Sequence, residues 1–293
     1  MDAPSVLLLG SGYTLSRLGA ALGRERIVLT SRRAEQVDGW RGRGYVAERV
    51  DSSSLEDLRG IFRCHPELTT VVDSVPPQRG VAVEKLRADA VERGRAFKAA
   101  GITRVVYLST TGVFGVEDGG VVSESTPSAP KNPLAEARYA VERGYSASGV
   151  GFTAVRIPAI YGPGRGLGLS LQHGGMKLIE GGKRWTNRVH VDDLVRYLGA
   201  MVDTAELPPV LCVGDAEPAL QRKVVEFYAE RFGLPVPDSI SLEQARAAGL
   251  YTQLANQRID SSLARSLLGV TLNFPSYREG AGAEFEAELD PLG

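Results

Sequence analysis

Apolar runs of strand length alternate with helical patterns from residue 6 to residue 213 of this chain. The first run, Val6–Leu9, is continuous and ends in a glycine, which is typical of a strand buried on both faces. Strand–helix–strand units repeated in this way imply right-handed crossovers and a parallel sheet with helices on both faces. The alternation therefore predicts an α/β fold: a Rossmann-type doubly wound parallel sheet with a smaller mixed, mainly helical C-terminal lobe.

The same patterns give the predicted bounds of the elements and of the domains. Strands are expected at Val6–Leu9, Ile27–Leu29, Tyr45–Val50, Thr70–Val75, Arg104–Ser109, Phe152–Ile157 and Val210–Val213. Helices are expected at Leu15–Leu22, Val83–Ala100, Pro133–Ala147 and Asp192–Met201, with a further helix after Ser54. Asp192 is the expected N-cap of its helix. Residues 1–165 with 187–213 are predicted to form the dinucleotide-binding domain, and residues 166–186 with 214–293 the substrate lobe.

The composition excludes several classes of protein. The formal net charge is −1, so nothing indicates a nucleic-acid partner. Cys64 and Cys212 lie far apart without metal-ligand spacing, which predicts reduced thiols and no metal site. The N-terminal apolar run is too short for a signal peptide or a membrane span. We therefore expect a cytoplasmic protein without a membrane partner.

A glycine-rich turn follows the first predicted strand and opens a helix. Gly10 allows the tight turn, and Gly12 allows the backbone to approach a pyrophosphate at the helix N-terminus, where free N–H groups favour anions. The third position of this dinucleotide fingerprint is usually glycine and is leucine here. The residues predicted to bind the cofactor in the turn are Gly10, Ser11, Gly12, Tyr13, Thr14 and Leu15. A strand–turn–helix unit that binds no ligand is the alternative.

The end of the second strand bears on the choice of cofactor. An acidic residue there binds the ribose 2′-hydroxyl of NAD, whereas an arginine accepts the 2′-phosphate of NADP. This chain has Ser31, Arg32 and Arg33 at that point and no acid. We therefore predict that these residues bind NADP(H), with NAD the less favoured cofactor. The alternative is that both arginines only solvate the start of a helix.

Five segments, in order over nearly the whole chain, carry a resemblance to a known family. They are residues 107–115 (YLSTTGVFG), 122–127 (VSESTP), 156–165 (RIPAIYGPGR), 187–194 (NRVHVDDL) and 275–280 (PSYREG). The chain resembles the extended short-chain dehydrogenases/reductases, the epimerase and dehydratase group, and among them the atypical members. The resemblance implies a nicotinamide cofactor and a small-molecule substrate held between the lobes.

The catalytic dyad of that family, Tyr-x-x-x-Lys, is altered in this chain. With the register set by Glu142, the corresponding positions are Leu134 and Arg138. A leucine has no proton to exchange with a substrate, whereas Arg138 keeps a charge and can donate to the ribose hydroxyls of the cofactor. A pair with Glu142 at i,i+4 is the alternative role of Arg138. Asp51 and Ser74, beside the ends of the third and fourth strands, are also assigned to the cofactor.

The resemblance also indicates which residues act on the substrate. Thr110 has the position of the family hydroxyl that polarises the substrate oxygen, with a satisfied hydroxyl at a strand end as the alternative. Lys131 is the candidate proton donor, with plain solvation as the alternative. The predicted substrate contacts are Thr111, Tyr161, Arg165 and Arg188. Arg165, Arg184 and Arg188 are candidates to hold an anionic substrate group, with surface roles as the alternative.

Two functions are compatible with these residues. The protein is either an NADP(H)-binding oxidoreductase or epimerase-like enzyme on a small polar substrate, or a catalytically inactive cofactor-binding regulator or scaffold. Ala159 replaces an asparagine often present in enzymes of nucleotide sugars, which argues against such a substrate. His190 is expected to be a packed, hydrogen-bonded residue rather than a base. Paired helices often form a four-helix dimer interface in the family, so residues 83–100 and 133–147 predict a possible homodimer.

Overall fold

A seven-stranded parallel sheet forms the centre of the molecule in the computed structural model, which describes residues 5–287 and 290–292. The strands are β1 (Val6–Leu9), β2 (Ile27–Ser31), β3 (Val46–Arg49), β4 (Thr70–Asp73), β5 (Arg104–Thr110), β6 (Gly151–Ile157) and β7 (Val210–Cys212). Their order is β7-β6-β5-β4-β1-β2-β3, and every adjacent pair is parallel. The strand order reverses at β1, and such a point is where doubly wound sheets bind ligands. The predicted fold class is confirmed.

Six helices cover the two faces of the sheet. They are α1 (Tyr13–Leu22), α2 (Ala34–Gly42), α3 (Leu55–Cys64), α4 (Val83–Ala99), α5 (Pro133–Ser148) and α6 (Val191–Asp203). Because side chains alternate along a strand, Leu8 packs into one core with α1 and α6, whereas Leu7 and Leu9 pack into a second core with α4 and α5. All of β1 is therefore buried, which explains its unbroken apolar run.

Short elements build a smaller lobe. Its helices are Leu167–Gln172, Gln221–Phe232, Leu242–Ala247 and Tyr277–Gly280, with 3-10 turns at Glu180–Gly182, Tyr251–Gln253 and Ala281–Phe285. A further helix, Ser262–Leu268, packs through Ala264 into the core that contains Leu8. Short strands pair as Val121–Val122 with Arg258–Ile259, Ala159–Tyr161 with Arg188–His190, Leu178–Ile179 with Ser239–Ile240, and Trp185–Thr186 with Ala219–Leu220. Leu171, Tyr228 and Tyr277 belong to a core of their own. None of the helices described in residues 5–287 and 290–292 is both long and apolar enough to traverse a bilayer. The proposed domain boundaries stay a prediction.

One helix start and one whole helix differ from the sequence predictions. Asp192 is not the N-cap of α6: His190 holds that position, and its Nδ1 accepts the N–H of Asp192 at 3.2 Å. The prediction is wrong because a histidine ring here replaces the short oxygen-bearing side chain that usually caps a helix. Helix α2 has no counterpart among the predicted helices, since it buries only Val37 and Trp40 and its N-cap, Arg33, offers no side-chain acceptor.

Helices α4 and α5 pack closely against each other within one chain. A Cβ atom at Gly144 would lie 2.5 Å from the carbonyl oxygen of Arg87 and 2.5 Å from the Cβ atom of Ala90. Only glycine therefore permits this approach of the two helices. The homodimer that these helices suggest stays a prediction.

Gly19 provides the close contact between helix and sheet that the third fingerprint glycine usually gives. A Cβ atom at Gly19 would lie 3.0 Å from Cδ1 of Ile27 and 3.2 Å from Cδ2 of Leu29. Leu15, at the fingerprint position, is fully buried in the same core. The close approach of α1 to the sheet is thus made about one helical turn later than the fingerprint places it.

Replacing Gly19 with valine is expected to destabilise the protein by about 1–3 kcal/mol, because the new side chain must displace Ile27 and Leu29 in a packed core. Gly199→Val in α6 is the matched control, since no atom lies within 4 Å of a Cβ there. That control should not destabilise, because valine has a higher helix propensity than glycine. Urea unfolding measures both variants, and equal free energies of unfolding would contradict the assigned contact.

Candidate functional site

The turn between β1 and α1 leaves backbone N–H groups without helical partners. Gly10 has a φ of 85°, a left-handed conformation that favours glycine. The first helical bond of α1 runs from the N–H of Ser16 to the carbonyl of Gly12 at 2.9 Å. The N–H groups of Thr14 and Leu15 therefore have no earlier carbonyl to bind within the helix. Together with the positive end of the helix dipole, such donors can bind a pyrophosphate.

Contacts from the two neighbouring strands hold this turn in place. The N–H of Ser11 donates to the carbonyl of Thr30 at 3.1 Å, and the N–H of Gly10 donates to Oγ1 of Thr30 at 3.0 Å. From the other side, Oγ of Ser74 donates to the carbonyl of Gly10 at 2.7 Å. A Cβ atom at Gly10 would lie 3.0 Å from Cγ2 of Val75, so the turn has no room for a side chain. Ser74 thus lies beside the predicted cofactor site and braces it.

A groove of about 440 Å³ lies between α1 and α2. Gly12, Tyr13, Arg33 and Gln36 are among the residues that line it. Nη2 of Arg33 donates to Oε1 of Gln36 at 3.2 Å, and Oγ of Ser31 donates to the same oxygen at 2.7 Å. Gln36 therefore orients the guanidinium of Arg33 in the groove that Gly12 and Tyr13 also line.

Arg32 and Asp51 lie exposed at the ends of β2 and β3. Oδ1 of Asp51 accepts hydrogen bonds from the N–H and the hydroxyl of Ser53, at 3.0 Å and 2.7 Å. These bonds and the nearby charge of Arg32 lower the pKa of Asp51. Asp51 is therefore an ionised acceptor beside the predicted phosphate-binding arginines.

The two positions assigned to the family dyad, Leu134 and Arg138, lie on the first turns of α5 and differ in environment. Leu134 is 40 % exposed. Nη1 of Arg138 donates to the hydroxyl of Tyr107 at 3.1 Å, to the carbonyl of Leu108 at 3.0 Å and to the carbonyl of Val75 at 3.4 Å. These three bonds hold the guanidinium at the ends of β4 and β5. Within the described residues, all of its hydrogen bonds use this one nitrogen.

The alternative pair of Arg138 with Glu142 is wrong. Glu142 is buried and accepts hydrogen bonds from Arg156, whose Nη2 lies 2.8 Å away, and from the hydroxyl of Ser109. Nη2 of Arg156 also donates to Oγ of Ser128 at 2.7 Å. The sequence spacing misled here because Glu142 turns into the protein and pairs with β6, where an uncompensated charge would be costly.

Thr110 ends β5 and caps the 3-10 turn Thr111–Phe114. Its Oγ1 accepts the N–H of Gly112 at 3.1 Å, and no described residue accepts the hydrogen of this hydroxyl. Thr111 is buried, and its carbonyl accepts Nε2 of Gln257 at 2.9 Å. Gln257 comes from the lobe, and its Oε1 is buried without a partner among the described residues. Through this bond the lobe contacts Thr111, the residue that follows Thr110 at the end of β5.

Two further predicted site residues lie on exposed loops. Lys131 is exposed before α5, and its stem packs against Gly115. Arg165 is exposed, and its guanidinium carbon lies 5.2 Å from the ring centroid of Tyr13. The hydroxyl of Tyr13 donates to the carbonyl of Pro163 at 3.1 Å. The structure thus places Arg165, a predicted substrate contact, beside the predicted cofactor turn.

Tyr161 and His190 are buried side by side, with ring centroids 5.1 Å apart. The hydroxyl of Tyr161 donates to the carbonyl of Ser276 at 3.2 Å. The ring of His190 stacks on Phe274 at 3.7 Å, and burial lowers the pKa of His190. His190 is thus packed, and its Nδ1 is hydrogen-bonded, whereas its Nε2 is buried without a hydrogen-bond partner among the described residues.

Arg188 lies in a buried polar cluster with two carboxyl groups. Its Nη2 donates to Oγ1 of Thr186 at 2.9 Å, whereas its Nη1 has no partner among the described residues. Burial raises the pKa of Asp215 and of Glu284 to about 7, and the charge of Arg188 opposes both shifts in part. Glu284 also accepts the hydroxyl of Tyr228. Arg188, a predicted substrate contact, is thus buried in the lobe near the carboxyl groups of Asp215 and Glu284.

A buried ion cluster that no sequence pattern predicts lies between the end of β4 and helices α4 and α5. Asp73, fully buried at the end of β4, accepts the hydroxyl of Tyr145 at 2.6 Å and Nη1 of Arg93 at 3.4 Å. An acid at the end of an apolar strand, such as Asp73, can be recognised in the sequence as unusual. Its partners on α4 and α5 cannot be identified in this way, because no regular sequence spacing relates them to Asp73. Within residues 5–287 and 290–292, no group of three or more His, Cys, Asp or Glu side chains is arranged to hold a metal ion.

A parallel sheet with a braced glycine turn at its switch point defines a protein that binds a dinucleotide. The model of the NAD-dependent epimerase/dehydratase family matches residues 10–214, from this turn to the end of the sheet. The chain belongs to this family. The family depends on NAD, a nicotinamide cofactor.

Several individual proteins are similar over most of the chain. The 3-diazoavenalumate denitrifying reductase of Streptomyces sp is 29% identical over 282 residues, which cover 88% of this chain and 90% of that protein. A functionally unknown conserved protein from Silicibacter pomeroyi DSS is 30% identical, with a TM-score of 0.76 and coverage of 96% and 98% of the two chains. MoeE5, solved in complex with UDP-glucose and NAD, is 24% identical with a TM-score of 0.74 over 96% and 97% of the chains, and so shares the fold.

Glu284→Gln is expected to reduce the pH dependence of stability between about pH 4.5 and about pH 7. The folded protein keeps a proton on Glu284 to a higher pH than the unfolded chain, so stability falls as the pH rises through this window. Removing the group should abolish up to about 1.4 kcal/mol of that fall per pH unit. Urea unfolding across the window measures the slope. The exposed Glu56→Gln is the control, and an unchanged slope in Glu284→Gln would contradict the raised pKa.

Proposed function

We propose that this protein is an NADPH-dependent reductase that acts on a small polar substrate between the sheet and the lobe. One observation carries the proposal: the N–H donors at the start of α1 lie beside a groove lined by Arg33. That pairing suits the pyrophosphate and the 2′-phosphate of one dinucleotide. The reductase of Streptomyces sp supports the class of reaction.

The residues of the turn fit such a cofactor. Gly10 lies so close to Ser74 and Val75 that the tight turn admits no side chain there, and the side chain of Leu15 points into the core rather than into the groove. Bound NADPH supplies a hydride. The residues that would hold it are Gly10, Ser11, Gly12, Tyr13, Thr14 and Leu15 at the pyrophosphate, Ser31, Arg32 and Arg33 at the 2′-phosphate, and Asp51, Ser74 and Arg138 around the nucleosides.

Arg138 and Thr110 have separate tasks in this proposal. Three bonds through Nη1 fix Arg138, so Nε and Nη2 remain for the ribose hydroxyls of the cofactor. Arg138 keeps its proton throughout and therefore orients the ribose without acting as an acid. Thr110 still has a hydroxyl hydrogen to donate, and it would hold a polar group of the substrate next to the hydride. Thr111, Tyr161, Arg165 and Arg188 remain proposed substrate contacts, and Lys131 the proposed proton donor for substrates that need one.

The loss of the acid at position 134 points to a substrate of a particular kind. Leu134 cannot supply a proton when hydride is transferred. A substrate centre that is cationic before the transfer and neutral after it needs no such proton. An aryl diazonium ion is a centre of this kind: the hydride bonds to the ring carbon, the C–N bond breaks and the nitrogen leaves as N₂, and the name of the Streptomyces reductase's substrate contains the related diazo group.

A cofactor-binding regulator without turnover is the second candidate function. The exposed leucine in place of the catalytic tyrosine favours it, since a protein without an acid–base residue need not be an enzyme. NADPH consumption separates the two candidates, because both bind the cofactor and only the first oxidises it.

Arg32→Ala combined with Arg33→Ala is expected to weaken NADPH binding by at least about tenfold, because each charge-assisted hydrogen bond to a phosphate contributes about 1.5–3 kcal/mol. NADH binding should remain nearly unchanged, since NADH lacks the 2′-phosphate. Calorimetric titration gives both dissociation constants. Arg24→Ala, which removes an exposed arginine paired with Glu25, is the matched control and should affect neither cofactor. Equal losses for both cofactors would contradict the 2′-phosphate assignment.

The native protein is expected to consume NADPH when a small aryl diazonium salt is added, as followed by the absorbance of NADPH. Leu134→Tyr should not accelerate this reaction, because the transfer requires no proton from the protein. A clear acceleration would show that the dyad is needed and would contradict the argument from Leu134. NADPH binding without any consumption would support the regulator instead.

A further inference from the structure

One edge of the guanidinium of Arg184 is buried and unpaired. Arg184 is 5 % exposed, and its Nε and Nη2 have no hydrogen-bond partner among the described residues. These nitrogens lie on the same side of the planar group, so their N–H bonds run in parallel. Two buried donors without an acceptor are unfavourable, which indicates an acceptor that is not part of the described chain.

Hydrogen bonds fix the backbone of Arg184 and of the next residue, Trp185. The carbonyl of Arg184 accepts the N–H of Gln221 at 2.8 Å, and Trp185 donates its N–H to Oδ1 of Asn256 at 2.8 Å. Nδ2 of Asn256 donates to the carbonyl of Glu117 at 3.0 Å. Glu117 belongs to the loop that follows the 3-10 turn after β5. Arg184 therefore stands where the lobe meets the loop downstream of the proposed reaction centre.

The carboxylates that attract Arg184 already have other partners. Oε2 of Glu117 pairs with Nη2 of Arg246 at 2.8 Å, and Oε1 of Glu180 accepts the N–H of Leu242 at 2.6 Å. Burial lowers the pKa of Arg184, and the charges of Glu117 and Glu180 oppose this shift only in part. Neither carboxylate thus occupies the unpaired edge.

We propose that this edge of Arg184 binds a carboxylate of the substrate, so that the protein acts on organic carboxylates. Two parallel N–H donors match the two oxygens of a carboxylate in a bidentate pair. The charge also matches, because one carboxylate neutralises one guanidinium. Arg188 is less suited, since it has one unpaired nitrogen and stands beside Asp215. The inference rests on the proposed function, because it concerns the substrate of that reaction.

Benzoate is the probe for this site, and benzamide is its uncharged counterpart. Benzoate should raise the Tm of the native protein in the presence of NADPH, and benzamide should not. Arg184→Met should weaken benzoate binding by at least about 30-fold, because it removes one partner of a buried charged pair. NADPH binding should stay unchanged in that variant. Arg246→Gln removes an exposed cation that contacts the same Glu117, and this matched control should keep benzoate binding.

Further variants separate a binding role from a structural one. Arg184→Met should keep or raise the Tm without ligand, since an unpaired buried charge is lost. Arg184→Lys keeps the charge and lacks the parallel donors, so it should bind benzoate much more weakly than the native protein. A lower ligand-free Tm in Arg184→Met, or native-like benzoate binding in either variant, would overturn the proposal. Native protein that binds NADPH and ignores benzoate would overturn this inference alone, whereas failure to bind NADPH would overturn the proposed function.

Discussion

The hydrogen bonds that Thr30 and Ser74 make to the glycine turn join three neighbouring strands of the sheet, β4, β1 and β2, at the point where the strand order reverses. Thr30 lies on β2 and Ser74 follows β4, so the turn after β1 is held from both sides. These bonds help to fix the direction in which the N–H groups at the start of α1 point. This turn therefore sets the position of the proposed cofactor groove. The positions of Leu134 and Arg138 and the contact with the lobe are set relative to it as well.

Buried charges form the next layer below the site. Asp73 binds Tyr145 and Arg93, and Glu142 binds Arg156, so α4 and α5 are tied to the strands that they cover. Such pairs are costly to break because each partner would be left as an uncompensated charge. Leu134 and Arg138, the positions assigned to the family dyad, lie at the start of α5, the helix that these pairs hold. The proposed hydride transfer without a proton from position 134 would use this support.

The sheet and the glycine turn could be predicted because they depend on neighbours in the sequence. A strand with helices on both faces leaves an unbroken apolar run, as at Val6–Leu9. The partners of Glu142, Arg184 and Glu284 could not be predicted in this way. Gly168, for example, donates to Glu284 across a separation of 116 residues. Local rules even misled at Asp192, because they allow for small oxygen caps and not for the ring of His190.

The location of Gly19 has a consequence for how related chains diverge. Residues four apart lie on the same face of a helix. The glycine that packs against the sheet can therefore stand at either of two such positions, and the glycine turn before the helix is unaffected. Position 15 is thereby released to carry a large apolar side chain that fills the core. A search for three glycines at fixed spacing would overlook such a chain, although its phosphate-facing backbone is intact. Gly10 and Gly12 are thus required by the turn at the proposed ligand site, whereas Gly19 is required by the packing of α1 on the sheet.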